Sequence, residues 1–290
     1  MTLTEQFDLS GLIVIKQAID GEAIDRTLNR IEIFKEKNIE VFRKNNCLLN
    51  DNLQRVVNLH LVIAEIRALL ASASSEAGEI IEGYLGDWAA YTSLYFERGS
   101  EQPLHRDTPY FWTTPPYKFL GFWIALEDIH EFNGPLRAIE GSHKMPELDL
   151  ESLRIEVLGK TSCPPSHDEL FNVYNKKVEE ISFAQGLQEY QYKIKKGDVI
   201  IWHPQTIHGG SRHLNIDQSR KSLVFHLKTK DVPVKHMDYF FHQSERKMPE
   251  KGSWKYFSEN RVEYVQHESI SMMHKYDVPI KKITTDLKIN

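Results

Sequence analysis

Tyr91-Thr-Ser-Leu-Tyr-Phe96 marks the point at which this 290-residue chain changes character. Aromatic and β-branched side chains dominate it, as they do in pleated, half-buried strands. Phe119-Leu-Gly-Phe-Trp-Ile-Ala-Leu126, Pro135-Leu-Arg-Ala-Ile139, Gln191-Tyr-Lys-Ile194, Val199-Ile-Ile-Trp202 and Lys221-Ser-Leu-Val-Phe-His-Leu227 read the same way. Asn133-Gly134, Gly141 and Lys196-Gly197-Asp198 stand between them as turns. Short strands punctuated like this, behind a helical N-terminal layer, predict an antiparallel barrel or jelly roll.

Working outward, residues 1–90 read mainly as helix. Gly11-Leu-Ile-Val-Ile-Lys16 is a short apolar strand, and Asp20 is placed to cap a helix running toward Val41. Leu61, Ile66, Leu69, Leu70, Ala73, Ala77, Ile80 and Ile81 recur at helical spacing between His60 and Leu85, and Gly86 ends the run. Lys144 to Tyr190 is polar and interrupts the strand rhythm as an insertion would. Beyond Lys228 the chain is basic, aromatic and irregular, and is expected to wrap the barrel or cover its mouth. The expectation is therefore one domain over 1–290, mainly β with helical decoration: a helical layer over 1–90, a β core over 91–227 carrying an insertion at 144–190, and a C-terminal wrap over 228–290.

Hydrophobic residues at 41% and charged residues at 27% suit a globular chain with a sizeable core. A net charge of −5 gives no whole-molecule attraction to nucleic acid or to an anionic membrane. No apolar run approaches the ~18 residues that a membrane span needs. The first residues lack the basic, apolar and cleavage regions of a secretion signal. Cys47 and Cys163 are the only two cysteines and imply no disulfide framework. These features predict a cytoplasmic protein acting on a small molecule; nothing in them sets the oligomeric state.

A redox iron site that admits a cosubstrate and O2 needs three protein ligands on one face and open positions opposite. Two imidazoles and a carboxylate supply that. A His-x-Asp pair at a strand edge fits, because residues i and i+2 point to one side. Three such pairs occur: His105-x-Asp107, His167-x-Glu169 and His236-x-Asp238. Only the first lies between two strand candidates, after the turn-like Gly-Ser-Glu-Gln-Pro. His167 falls in the polar insertion and His236 in the tail. Downstream, Gly197-Asp-Val-Ile-Ile-Trp-His-Pro-Gln-Thr-Ile-His208-Gly-Gly runs from a turn through a buried strand to a histidine. Arg220 then heads the last strong strand, where a guanidinium can pair with a dicarboxylate.

In order along the chain, His105-Arg-Asp107, Trp123-Ile-Ala-Leu-Glu-Asp, Asn133-Gly-Pro-Leu-Arg-Ala-Ile-Glu-Gly-Ser-His143, His208-Gly-Gly and Ser219-Arg-Lys-Ser resemble the phytanoyl-CoA dioxygenase family. The resemblance covers Tyr91 to Leu227 and reaches faintly into the helices before it. It implies a double-stranded β-helix, a jelly-roll or cupin-like core, packed against the N-terminal helices. It also implies an oxygenase that uses Fe(II), 2-oxoglutarate and O2 and releases succinate and CO2. His105, Asp107 and His208 would hold the iron and Arg220 the distal carboxylate of 2-oxoglutarate. Trp123 falls beside the cosubstrate, or serves as a core aromatic. Tyr95 and Ser93 share a strand face and could line the pocket. Arg55 falls where some members place a basic cosubstrate contact, and also reads as an exposed arginine at a helix start. His143 reads as structural, and His203 and His226 are assigned no iron. The alternatives are a non-catalytic jelly-roll binding protein and a cupin-type metal-dependent isomerase or hydrolase.

Overall fold

Thr2 and Glu5 cap each other reciprocally at the start of α1 (Leu3–Ser10), and the chain turns through left-handed Gly11 into β1 (Leu12–Ile15). Asp20 then caps α2 (Gly21–Lys37) by accepting from the Ala23 amide, a contact worth about 1 kcal/mol. In the computed structural model, which describes residues 1–44, 46–159, 167–215, 217–272 and 276–283, a short α3 (Ile39–Lys44) follows. Next come strands β2 (Leu48–Leu49), β3 (Asn52–Leu53) and β4 (Arg55–Val57), inside a stretch read from sequence as helical. The single helix expected between His60 and Leu85 is two, α4 (Ala64–Ala71) and α5 (Ser75–Leu85). The break has a local cause. The Ser72 hydroxyl donates to the Leu69 carbonyl and the Ser74 amide to that of Ala18, so backbone groups find partners outside the helical ladder.

The strands that follow are β5 (Trp88–Phe96), β6 (Trp112–Thr113), β7 (Phe119–Ala125) and β8 (Leu136–Ile139). After helices α6 (Leu150–Leu158) and α7 (Asp168–Ala184) come β9 (Glu189–Tyr192), β10 (Val199–Trp202), β11 (Ile207–Gly210) and β12 (Ser222–Thr229). The large sheet runs β1-β10-β7-β12-β5-β4, antiparallel throughout, and faces a small sheet β11-β8-β9. This is the jelly roll that the strand pattern predicts.

The period of two divides the large sheet cleanly. Ile13, Ile15, Phe122, Ile124, Val199, Ile201, Leu223 and Phe225 pack outward against the N-terminal helices. Leu12, Trp123, Ala125, Ile200, Trp202 and Val224 point inward and meet Leu136 and Ala138 of the small sheet. The insertion is not a detached loop. Leu153, Leu170, Tyr174 and Val178 of α6 and α7 bury against Leu104, Ile139 and Ile207, so this helical pair covers the outside of the small sheet. Cys163 lies outside the described residues.

The C-terminal region corrects the expectation of an irregular wrap. After β13 (Val234–Lys235) and α8 (Met237–Phe240), β14 (Tyr256–Glu259) and β15 (Val262–Val265) form a hairpin. Asn260 and Arg261 turn it with φ of 51° and 66°, the left-handed pair that two-residue hairpin loops require. Tyr264 pairs with Ala90 of β5. β16 (Ser269–Met272) extends the large sheet beyond β4, with β17 (Tyr276–Pro279) outside it and α9 (Ile280–Ile283) at the end. The tail thus continues the sheet.

Candidate active site

His105 forms a bridge with His208, each donating its amide to the other's carbonyl at 2.8–2.9 Å, so the strand edge carrying His105 and Asp107 lies beside β11. The glycines after His208 permit this approach. A Cβ on Gly209 would sit 2.7 Å from the Gln102 carbonyl and 2.9 Å from that of Pro103. His105, Asp107 and His208 are all buried, and one ligand atom from each lies within 4.8 Å of the others. Among the described residues no other three such side chains converge, so His167 and His236 join no such cluster. His167 stacks on Phe241, and His236 meets the Tyr110 carbonyl.

Hydrogen bonds set the ligand atoms. His105 Nδ1 donates to the Pro103 carbonyl and His208 Nδ1 to that of Thr206, both at 2.9 Å. Each Nε2 is therefore the acceptor nitrogen, at 3.7 and 3.8 Å from the Asp107 oxygens, and that of His105 accepts from Gln102 Nε2 at 3.1 Å. Burial, with His208 adjacent, pushes His105 down to about 4, so it is a neutral imidazole near pH 7. Burial works to raise the Asp107 carboxyl. His208, His226, His105 and the Trp202 indole N–H outweigh it and hold the group below its ordinary value. Trp202 Nε1 donates to Asp107 Oδ2 at 2.8 Å, a bond to a charge worth about 1.5–3 kcal/mol. That indole lies flat over Gly121, where any Cβ would come within 2.0 Å of it. Two imidazoles and a carboxylate on one face form a donor set that fits a divalent iron.

The inner face of β12 carries Ser222, Val224 and His226, and Arg220 stands two residues before the strand begins. Arg220 is 4% exposed; its Nη1 donates to Ser222 Oγ at 2.6 Å while Nε has no acceptor. Phe96 and Trp123 flank the guanidinium with ring centroids at 5.8 and 5.6 Å. Burial drives its pKa down to about 10. A desolvated cation with an unfilled donor fits the end of a dicarboxylate. His226 Nε2 comes within 3.9 Å of Asp107 Oδ2, with Phe111 and Phe119 against its ring. Thr92 stands opposite His226 across the strand pair and donates to Asn58 Oδ1 at 2.6 Å.

Tyr95, Ser93 and Arg55 sit differently from their sequence reading. Tyr95 and Ser93 do share a face of β5, but it is the outer one. Tyr95 lies opposite Leu223 in the core shared with the helices, and Ser93 Oγ meets His60 Nδ1 at 2.7 Å. The inner residues are Thr92, Leu94 and Phe96. Arg55 is half-buried on β4 opposite Phe96, so it heads a strand and not a helix. Burial lowers its pKa while Tyr110 offsets the shift. His203 rests against Tyr84, Tyr117 and His143 and takes no part in the triad. Trp202 and His226 are the site residues that sequence reading left without a role. The strand period would have placed Trp202 inward, but its grip on Asp107 depends on Gly121.

A family model described as phytanoyl-CoA dioxygenase (PhyH) matches residues 7–222. The rice protein phytanoyl-CoA dioxygenase 1 is 31% identical over 131 residues, covering 44% of this chain and 39% of its own length. The mouse peroxisomal phytanoyl-CoA dioxygenase is 25% identical over 239 residues, covering 78% of this chain and 58% of its own. The chain therefore spans well under two thirds of these relatives. Among solved structures, the epimerase SnoN in complex with Fe3+, alpha ketoglutarate and nogalamycin RO superposes with a TM-score of 0.58 at 14% identity, over 91% of this chain and 96% of that one. The alpha ketoglutarate dependent carbocyclase SnoK from nogalamycin biosynthesis gives 0.57 at 17% identity, over 84% and 90%. At these identities the structural likeness speaks for the fold.

Proposed function

The chain belongs to the phytanoyl-CoA dioxygenase family, and from that premise we propose that it is a 2-oxoglutarate-dependent non-haem iron(II) dioxygenase that hydroxylates an unactivated C–H bond of a small molecule. One observation carries the reading: a buried two-histidine, one-carboxylate face shares the barrel interior with a desolvated arginine whose Nε lacks an acceptor. An inert jelly-roll binding protein needs neither feature, and a cupin-type isomerase or hydrolase needs no such arginine.

In this reading His105, Asp107 and His208 hold Fe(II), Arg220 and Ser222 take the distal carboxylate of 2-oxoglutarate, and Trp123 walls the cosubstrate. Arg55 adds a cationic wall on the same inner face. Bound iron with 2-oxoglutarate and O2 supplies the oxidising chemistry, releasing succinate and CO2 as oxygen enters the substrate. The protein's share is placement and exclusion of water. Trp202 fixes the Asp107 carboxylate. The outer core residues Leu223 and Phe225 seal the strand from behind. His226, Thr92 and Asn58 present polar groups beside the metal face, which favours a metabolite, amino-acid derivative or sugar unit over a bare acyl chain. Asp107 occupies the position that a halide would need, which favours hydroxylation.

The test is to load the chain with Fe(II) and measure succinate formed from 2-oxoglutarate across a metabolite panel, then weigh the product. A product one oxygen heavier supports hydroxylation. Loss of two hydrogens points to desaturation or ring closure. Failure to bind Fe(II) and 2-oxoglutarate at all overturns the oxygenase reading.

A further inference from the structure

Arg106 sits between two of the three candidate ligands, and on an extended strand its side chain leaves from the face opposite to theirs. It is fully buried. Its Nη2 donates to the Ser142 carbonyl at 2.9 Å, and Nη1 lies 3.3 Å from Tyr174 Oη and 3.6 Å from Glu147 Oε1. Tyr174 Oη donates to the same Glu147 oxygen at 2.7 Å, and Gln205 Nε2 to the other at 3.1 Å. The Arg106 amide donates to Asn175 Oδ1 at 3.0 Å, and Asn175 is itself held by donating to the Phe171 carbonyl at 2.8 Å.

Ser142 then faces the other way. Its hydroxyl accepts from the Ile207 amide at 2.8 Å and donates to the Ile139 carbonyl at 2.6 Å. Ile207 immediately precedes His208. One residue of the Gly-Ser-His turn thus grips the residue inside the His105–Asp107 pair through its carbonyl, and the residue beside His208 through its hydroxyl. From the same side Phe171 of α7 brings its ring to 6.4 Å from that of His105.

Resting on the iron reading above, we infer that Ser142, Arg106 and Asn175 form a brace that sets the separation between the two halves of the metal face, and that the α6–α7 insertion is there to anchor it. The physical reason is rigidity. Main-chain bonds stitch the two ligand-bearing segments edge to edge: the His105–His208 pair, the Gly210 amide to the Gln102 carbonyl, and the Asp107 and Thr108 amides to that of Pro204. All of them run along one shared edge, and a fully buried guanidinium held at three points resists rotation about that edge from behind. The three are positioning residues: none faces the metal side, and each acts through the ligand next to it.

The experiment is an anaerobic titration of the full chain with Co(II) and then with Fe(II) plus 2-oxoglutarate. It follows metal affinity and the position of the metal absorption bands, with the melting temperature of the metal-free protein alongside. Ser142→Ala and Arg106→Met should each weaken metal binding about 10–100-fold and shift the Co(II) bands, as loss of a ligand's supporting partner does. Arg106→Lys, which keeps a donor for the Ser142 carbonyl, should lose less than Arg106→Met. If the brace acts as a unit, Ser142→Ala combined with Arg106→Met costs less than the product of the two single losses. Lys177→Ala, on α7 in an exposed ion pair with Glu156 of α6, is the surface control and should match the parent. Should Arg106→Met fail to fold, Ser142→Ala and Asn175→Ala carry the same test. Parent-like affinity and bands in the folded variants overturn the brace. A parent chain that binds no metal overturns the iron reading, which is a separate result.

Discussion

Replacing Arg220 by Met removes a charge whose two effects have opposite sign. In the ligand-free protein, burial lowers the pKa from 12.5 to about 10. At about 1.4 kcal/mol per decade this means that burial disfavours the charged form by on the order of 3 kcal/mol. The hydrogen bond to Ser222 returns roughly 1.5–3 kcal/mol of that. Methionine fills a similar volume between Phe96 and Trp123 without a charge, so the metal-free melting temperature should hold or rise. Binding of 2-oxoglutarate should collapse, because a distal carboxylate left without its buried partner costs about 3–5 kcal/mol, or roughly two to four orders of magnitude in affinity. Fe(II) affinity should stay near the parent value, since Arg220 is not among the converging ligands. The assay is an anaerobic 2-oxoglutarate titration of the Fe(II) protein, with thermal melts in parallel. An Arg220→Met protein that melts lower yet binds 2-oxoglutarate normally would refute the reasoning. If Lys221→Ala gives the cosubstrate defect instead, the facing of β12 is wrong by one residue.

His105→Ala, Asp107→Ala and His208→Ala should each abolish Fe(II)-dependent succinate formation while leaving the far-ultraviolet circular dichroism unchanged; turnover retained at saturating Fe(II) removes that residue from the triad. His60 is fully buried and held neutral well below its usual pKa by that burial, so the unfolded chain binds a proton that the folded one refuses. Stability from this group is therefore present above about pH 6.5 and lost as the pH falls below it, at up to about 1.4 kcal/mol per pH unit. His60→Gln should flatten the acid limb of the stability curve, measured by urea unfolding between pH 7 and 5, and an unchanged slope would show that His60 contributes nothing to it. With a substrate in hand, excess chloride or bromide should leave product mass unaltered, because Asp107 fills the halide position, and Asp107→Gly should be nearly inactive. A halogenated product from the parent would remove Asp107 from the ligand set.

The inner face of β12 was legible from the period of two, which Ser222, Val224 and His226 follow. The triad was not, since three His-x-acid pairs share that spacing; it came from the order of motifs that resemble the family, and the structure brings His105, Asp107 and His208 together. What failed was choosing a side where both sides are buried. Along β5 nearly every residue from Ala89 to Phe96 is buried, so alternation of polarity does not tell Tyr95 from Phe96. The partner strand decides, and only the register with Leu223 and Ser222 gives it. Arg55 was misplaced because β4 has three residues, too few for any periodicity to emerge. The C-terminal hairpins did leave a sign. Val262-Glu-Tyr-Val265 after Asn260-Arg261 is a strand entered from a left-handed turn, but arginine at such a position is uncommon enough to pass unread.

Register also explains how the barrel ends. The β5–β12 pairing slips between His226 and Leu227, so Thr92 faces His226, Ala90 faces Leu227, and Tyr91 is the extra residue of a bulge. Without that slip the period of two would send Tyr91 outward with Ser93 and Tyr95. The slip releases it to meet Phe111, Phe119 and Trp254, with ring centroids at 6.0, 6.1 and 5.1 Å. Phe111 and Phe119 in turn hold the imidazole of His226 against the metal face. One inserted residue therefore closes the apolar end of the barrel and backs the aromatic pair that holds His226 beside Asp107. Thr92 opposite His226, Asn58 accepting from Thr92, and Tyr110, whose hydroxyl feels the Asp107 charge, are the further polar groups around the metal face. Substrate selectivity should accordingly respond to those three and to Phe171, which packs on Tyr110 at 4.6 Å, more than to the aromatic end.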